Sequence, residues 1–151
     1  MLMQVILNTI NELLDRMGYT DANIKAEDNM GRIKVDIKLR EAKELIGEKG
    51  ATLAIFEHIS RKIVSRRVMP APKIDIDINN YRQMREGVLR DFALDIGERV
   101  RAGKRALELD PMSSFDRRIV HLALQNFTDV TTESVGEGDS RYIVVKPVKA
   151  A

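Results

Sequence analysis

The stretch that decides the fold is residues 45–54, Leu-Ile-Gly-Glu-Lys-Gly-Ala-Thr-Leu-Ala, which places two glycines three positions apart with a lysine between them. Glycine adopts tight turns that a Cβ atom disfavours, so residues 47–50 can bring backbone N–H groups close to a phosphate. A helix predicted to start at Ala51 or Thr52 adds the positive end of its dipole. The stretch therefore predicts a phosphate-binding loop between two helices. The alternative is a helix-turn-helix corner that uses glycine only for its geometry.

The composition limits the classes of protein. The chain has 151 residues, 44% hydrophobic and 32% charged, which suits two small domains. The net charge is only +2, so affinity for nucleic acid must come from local clusters such as the basic runs over residues 61–73 and 99–105. These runs contact nucleic acid or are solvated helix ends. The lack of cysteine excludes disulfides and thiolate metal sites and is compatible with a reducing cytoplasm.

No targeting or membrane-spanning segment is predicted. Residues 1–10 lack the basic start of a signal peptide, and no apolar run is long enough to cross a bilayer. We therefore expect a cytoplasmic protein, and the sequence suggests no metal ion or cofactor.

The hydrophobic pattern of the first 78 residues predicts an α-β-β-α-α-β order. The predicted elements are a helix over residues 3–17, strands over 23–26 and 32–39, helices over 41–46 and 52–66, and a strand over 74–78. In the longer of the two middle helices, the side chains expected to face inward are Leu53, Phe56, Ile59, Ile63 and Val64. The glycine loop falls between these two consecutive helices.

This element order, with Ile46-Gly47-Glu48-Lys49-Gly50 as its loop, resembles a type II KH domain over residues 1–78. The resemblance implies that the loop grips a sugar-phosphate backbone while a hydrophobic groove holds about four unpaired nucleotides. It makes Gly47, Glu48, Lys49 and Gly50 RNA-binding candidates, with Lys49 as the phosphate-binding cation. Glu48 departs from many such loops, because its carboxylate repels a phosphate.

Residues 79–151 are predicted to form a second domain that opens with a long helix. Apolar residues at helical spacing mark this helix as far as Gly103, namely Tyr81, Met84, Val88, Leu89, Phe92, Ile96 and Val100. A short strand over residues 106–109, a helix capped by Ser113 or Ser114, and a hairpin of residues 130–134 and 142–145 are predicted to follow.

The capped helix carries one polar stripe. At about 100° per residue, a single arc holds Ser114, Arg117, Arg118, His121 and Gln125. Arg117 and His121 are one helical turn apart, so both can reach the same nucleic-acid backbone. The alternative is a histidine bonded to a backbone carbonyl and an arginine paired with Asp116 or Glu133.

The run Arg117-Arg118-Ile119-Val120-His121, preceded by Leu109-Asp110-Pro111-Met112, resembles the signature of the RxxxH (Arg-xxx-His) domain, in which helices pack on a sheet and bind single-stranded nucleic acid. A KH domain followed by an RxxxH domain is similar to the bacterial Jag family, also called SpoIIIJ-associated or KhpB-like RNA-binding proteins. Many members carry a further N-terminal domain, whose functions are not transferred here.

The family resemblance implies an α+β protein of two small domains, residues 1–78 and 79–151. It implies that the chain binds single-stranded RNA, or single-stranded DNA, through the glycine loop together with Arg117, Arg118 and His121. It also implies a bacterial post-transcriptional regulator of cell growth, elongation and division. Its candidate protein partners are a single-KH protein and a second copy of the chain.

Two other classes of function stay open. A protein-interaction scaffold could associate through an exposed sheet edge. A ribonuclease could use His58 or His121, but these histidines fall in different predicted domains and no carboxylates cluster beside them. We therefore predict that the chain is not an enzyme and that His58 has a structural role.

Overall fold

The computed structural model describes residues 1–149 and has two compact units. Met1–Arg82 is the first unit, and the second begins at Gln83. Both units combine helices with a small sheet, so the predicted α+β class with two small domains is confirmed. No helix in the described part of the chain is long and apolar enough to cross a membrane.

Within residues 1–82, helices pack against a three-stranded sheet. The elements are α1 (Leu2–Arg16), β1 (Asn23–Asn29), β2 (Arg32–Lys38), α2 (Lys43–Ile46), α3 (Ala51–Arg67) and β3 (Lys73–Ile78). The middle strand is β2, which runs antiparallel to β1 and parallel to β3. This is the element order that the sequence predicted.

The core of the first unit lies between the sheet and helices α1 and α3. Every second side chain of β2 is buried (Ile33, Val35 and Ile37), as the two-residue period of a half-buried strand requires. The fully buried side chains of α1 are Ile6, Ile10 and Leu14, and Leu53 of α3 is buried beside them.

One core prediction for α3 is wrong, because the side chain of Ile59 is 45% exposed. The buried face of α3 runs through Leu53, Glu57, Ser60 and Val64. Ile59 lies about 120° away from the centre of this face on the helix circumference. Two polar residues hold the inward positions that the apolar pattern had assigned elsewhere.

The second unit has a three-stranded antiparallel sheet within the part of the chain that the structure describes. Its elements are α4 (Tyr81–Gly103, which starts in the last residues of the first unit), β4 (Leu107–Glu108), α5 (Ser114–Leu124), β5 (Val130–Val135) and β6 (Tyr142–Pro147). The strand order is β4-β6-β5. The core contains Ala93, Ile96, Val100, Val120, Leu124, Ile143 and Val145.

Helices α4 and α5 approach each other closely. A Cβ atom added at Gly97 would lie 2.6 Å from Cδ2 of Leu124, so only glycine fits at this crossing. Three of the apolar residues that marked α4 in the sequence, Met84, Val88 and Phe92, have exposed side chains. They follow a stripe about 120° away from the centre of the buried face of α4.

Candidate nucleic-acid interfaces

The glycine loop of the first unit joins α2 to α3 through a short 3-10 turn, Glu48–Gly50. Three of its residues have positive φ angles, which are 74° at Gly47, 51° at Lys49 and 79° at Gly50. The backbone N–H of Gly50 donates to the carbonyl of Gly47 at 3.3 Å. The chain therefore turns within four residues, in a conformation that side chains with a Cβ atom rarely adopt.

Packing also requires glycine at both ends of this loop. A Cβ atom at Gly47 would lie 2.2 Å from Oγ1 and 2.9 Å from the backbone nitrogen of Thr52. At Gly50 it would lie 2.8 Å from Cε1 of Tyr81. The two glycines thus set how closely the loop approaches the start of α3 and the ring of Tyr81.

The loop presents both a cation and an anion to solvent. The side chains of Lys49 and Glu48 are exposed, and neither makes a hydrogen bond or ion pair with any residue of 1–149. Helix α3 begins beside them with Gly50 as its N-cap and no side-chain cap on its first N–H groups. A phosphate here would meet Lys49 and the positive helix end but also the carboxylate of Glu48.

Many arginines of the two basic runs are engaged in ion pairs within their own unit. The pairs are Arg61–Glu57, Arg61–Asp75, Arg67–Glu12, Arg99–Asp95 and Arg101–Asp129. Such arginines have structural partners that a nucleic acid would have to replace. Of the two interpretations of these runs, nucleic-acid contact thus has less support at these four arginines.

In the second unit, the polar stripe of α5 faces a shallow depression of about 300 Å3. The depression is lined by Ser114, Arg117, Arg118, His121, Thr132, Ser134 and Ile143. The three candidates predicted from the sequence in this unit, Arg117, Arg118 and His121, therefore lie around one concave surface. The hairpin of β5 and β6 supplies the opposite wall.

Sequence reasoning missed the two hydroxyls that β5 adds to this depression. Thr132 and Ser134 are two positions apart on one strand, so their side chains point to the same face. In the register of the hairpin they lie opposite Val145 and Ile143, both buried. The two-residue alternation of β5 was the signal that could have identified them.

Two of the three candidates are held by hydrogen bonds. Nη1 of Arg117 donates to the carbonyl of Met112 at 2.6 Å, and Nδ1 of His121 is hydrogen-bonded to Oγ1 of Thr132. Arg118 is exposed and forms no hydrogen bond or ion pair with any part of the chain that the structure describes. Its guanidinium group therefore has all of its donors available to a ligand.

The internal partners differ from those of the alternative interpretation of Arg117 and His121. The arginine, and not the histidine, bonds to a backbone carbonyl. Asp116 pairs with Arg85, whose Nη2 lies 2.7 Å from Oδ2 of Asp116, and Glu133 pairs with Lys146. Neither carboxylate neutralises Arg117.

The start of α5 is fixed from two sides. Oγ of Ser113 accepts a hydrogen bond from the backbone N–H of Asp116 at 3.1 Å, which makes Ser113 the N-cap. The side chain of Asp116 is 1% exposed, and its ion pair with Arg85 ties this end of the helix to α4. These contacts determine where Arg117 and the rest of the polar stripe lie.

Arg141 adds a fourth cation at the edge of the depression. This exposed residue precedes β6, and its Nε donates to Oγ of Ser134 at 2.9 Å. Sequence reasoning missed it because it lies 20 positions beyond His121. Only the pairing of β5 with β6 brings it beside Ser134.

Comparison with known proteins classifies the second unit. Residues 88–147 match the family model of the RxxxH domain, a match that includes Arg117, Arg118 and His121 together with both strands of the hairpin. The chain is thus a protein with an RxxxH domain in its second unit.

The particular proteins that the chain is similar to are called RNA-binding protein KhpB. The protein from Clostridium symbiosum is 29% identical over 137 residues, covering 90% of this chain and 62% of that protein. The protein from Bacillus subtilis strain 168 is 28% identical over 144 residues, covering 94% of this chain and 67% of that protein. For Streptococcus pneumoniae serotype 2, the identity is 26% over 140 residues, with 93% of this chain and 42% of the relative covered. The chain thus spans only part of the length of these relatives.

Proposed function

We propose that this chain is a KhpB-like RNA-binding protein of the Jag family that holds single-stranded RNA at two places. The observation that carries the proposal is the depression of the second unit, around which Arg117, Arg118 and His121 lie together. The similarity to proteins named RNA-binding protein KhpB supports it. The first unit would act as a type II KH domain, residues 1–78, and residues 79–151 as the RxxxH domain.

At the second unit, Arg118 is the principal phosphate ligand, because its guanidinium group has no internal partner among residues 1–149 and forms bidentate contacts with phosphate oxygens. Arg117 uses the donors that its bond to Met112 leaves over, and His121 uses Nε2, since Nδ1 is bonded to Thr132. Arg141 extends the cationic surface toward the next phosphate.

At the first unit, Gly47, Glu48, Lys49 and Gly50 form the backbone clamp. The compact turn brings the chain close to the sugar-phosphate backbone, and Lys49 together with the uncapped start of α3 attracts the phosphate. Glu48 opposes this attraction, so the first site is weaker than a loop with two cations. Two weak sites on one chain gain avidity when a single strand reaches both.

The composition favours broad recognition of RNA. Aromatic residues make up 5% of the chain and tryptophan is absent, so few stacking platforms are available to discriminate bases. Broad binding suits the proposed role, which is post-transcriptional control of cell growth, elongation and division in a bacterial cytoplasm. A single-KH protein is a proposed partner in this role.

The test is fluorescence anisotropy with a labelled single-stranded RNA pool at several salt concentrations. Arg118→Ala should weaken binding about 3- to 10-fold and reduce the log-log salt slope by about 0.7, the value for one lost phosphate contact on a single strand. The matched control is Arg90→Ala, which removes the same charge from an exposed site paired only with Glu86. This control should change neither quantity.

The first site is tested by replacing Glu48 and Lys49 together with aspartate, which reverses the loop cation and should also weaken binding. If about five phosphates are contacted, the wild-type salt slope should be about −3.5. Wild-type binding no tighter than about 0.1 mM at physiological salt, which is within the non-specific range, would reject the RNA clamp in favour of a scaffold. Cleavage of the labelled RNA that is lost in His121→Ala would instead indicate a ribonuclease.

A further inference from the structure

The two edges of the sheet in the first unit differ in what covers them. At the β3 edge, helix α3 occupies the outward backbone groups: Oε2 of Glu57 accepts from the N–H of Ile76 at 2.8 Å, and Nε of Arg61 donates to the carbonyl of Ile74. Glu57 is itself buried. No further strand can pair along β3 without breaking these bonds, so this edge is closed.

The β1 edge is open. Met30 and Gly31, with φ angles of 54° and 83°, form a two-residue hairpin loop, and β1 and β2 pair from Asn29↔Arg32 onward. Because bonded and non-bonded positions alternate along an antiparallel pair, the backbone N–H and C=O groups of residues 24, 26 and 28 point away from β2. Within residues 1–82, no hydrogen bond reaches them.

Space for another strand exists beside these groups. A polar depression of about 580 Å3 lies between α1 and β1, lined by Leu7, Asn8, Asn11, Thr20, Asp21, Ala22, Asn23 and Ile24. The strand itself is seven residues long and contains no proline. It therefore lacks two of the devices that keep a sheet edge from pairing.

We propose that β1 pairs antiparallel with β1 of a second copy of this chain, around a two-fold axis through Ala26. In this register Ala26 faces Ala26 of the other copy, and Lys25 of each chain faces Glu27 of the other. Two opposite-charge contacts result from a single self-complementary strand. Lys25 and Glu27 occupy non-hydrogen-bonded positions, where side chains across a strand pair come closest.

The charges of β1 select this register over its neighbours. A shift of the axis to Lys25 would oppose two lysines, and a shift to Glu27 would oppose two glutamates, both unfavourable. The same rule of opposite charges already operates inside the unit, where Lys25 faces Asp36 and Glu27 faces Lys34 across β1 and β2. Self-pairing thus continues an alternating pattern of charge across a six-stranded sheet.

The expected association is weak. Residues 24, 26 and 28 of each chain would contribute about six backbone hydrogen bonds in all. The interface is one short strand wide, at the small end of specific interfaces, so we expect a Kd of roughly 0.1 mM. Sedimentation velocity between about 10 µM and 1 mM of nuclease-treated full chain covers this range.

The decisive experiment uses two charge-reversal variants, Lys25→Glu and Glu27→Lys. Each variant alone places like charges opposite each other twice in the paired strands, so its self-association should be at least about 10-fold weaker than that of the wild type. An equimolar mixture restores two opposite-charge contacts between unlike chains and should associate within about 3-fold of the wild type. Any loss of stability inside each unit is the same in the mixture as in the separate variants, so it does not affect the comparison.

Two further variants make the test specific. Lys149→Glu and Glu137→Lys change the same charges at exposed positions outside the first unit and should leave self-association unchanged, alone and mixed. Ala26→Pro removes one outward N–H without removing a bond to β2 and should abolish association while the chain stays folded. A wild-type chain that is monomeric at about 1 mM overturns the proposal, and so does a mixture that associates no better than its separate components.

Discussion

Replacement of Gly47 by alanine should destabilise the first unit more than an ordinary glycine replacement does. Gly47 has φ 74° and ψ 179°, a region of backbone space used almost only by glycine. The new methyl group would also lie 2.2 Å from Oγ1 and 2.9 Å from the backbone nitrogen of Thr52. Rotation of the threonine side chain can relieve the first contact but not the second.

The expected cost has two parts. Holding alanine in this backbone conformation costs about 1–3 kcal/mol, and forcing a methyl group into packed surroundings costs about a further 1–3 kcal/mol. Gly18 provides the control, because its φ of 91° is also positive while nothing lies within 4 Å of its hypothetical Cβ atom. Gly18→Ala should therefore show only the backbone part, and Gly47→Ala should lose about 2 kcal/mol more.

The assay is urea unfolding followed by circular dichroism. Because the chain has two compact units, the loss should appear in the transition of Met1–Arg82 and leave the other transition in place. A second variant, Thr52→Ala combined with Gly47→Ala, should recover only the part of the loss due to the side chain of Thr52. Equal costs for Gly47→Ala and Gly18→Ala would refute the reasoning, since the contact with Thr52 would then contribute nothing.

Three further predictions test other parts of the molecule. Ser60→Ala should stabilise the chain by about 1 kcal/mol in urea unfolding, because Oγ of Ser60 is buried without a hydrogen-bond partner among residues 1–149; a loss of stability would show that the hydroxyl has a partner after all. Asp116→Ala should cost the second unit about 3 kcal/mol by removing the buried partner of Arg85, and a cost below about 1 kcal/mol in the same assay would contradict that role. Glu48→Gln should tighten RNA binding about 2- to 3-fold in anisotropy by removing a carboxylate beside the phosphate, whereas Glu44→Gln, in α2, should have a smaller effect. Unchanged affinity in Glu48→Gln would place the RNA away from the loop.

Local sequence patterns predicted the elements of this fold well. The alternation of Ile33, Val35 and Ile37 identified a half-buried strand, and Gly47 and Gly50 marked the turn between two helices, because both signals depend on neighbouring residues only. Errors arose where an apolar side chain was assumed to face the core. Ile59 is exposed because α3 turns a polar residue, Glu57, inward to bond with β3.

The proposed site of the second unit was predicted only on its helical side. Arg117 and His121 could be placed on one face from their spacing, since a helix brings residues four apart together. Thr132, Ser134 and Arg141 could not be placed beside them, because they are distant in the chain and approach α5 only through the register of β5 with β6.

The sequence by itself determined the α+β class, the order of the elements and the polar stripe of α5, because hydrophobic period, glycine spacing and helical geometry act over a few residues. The tertiary structure alone decided which of these groups are engaged and which are available. Arg61 closes one sheet edge while β1 stays open, and Arg118 stays without an internal partner among residues 1–149. Such differences depend on contacts between residues far apart in the chain, and only the packed structure specifies them.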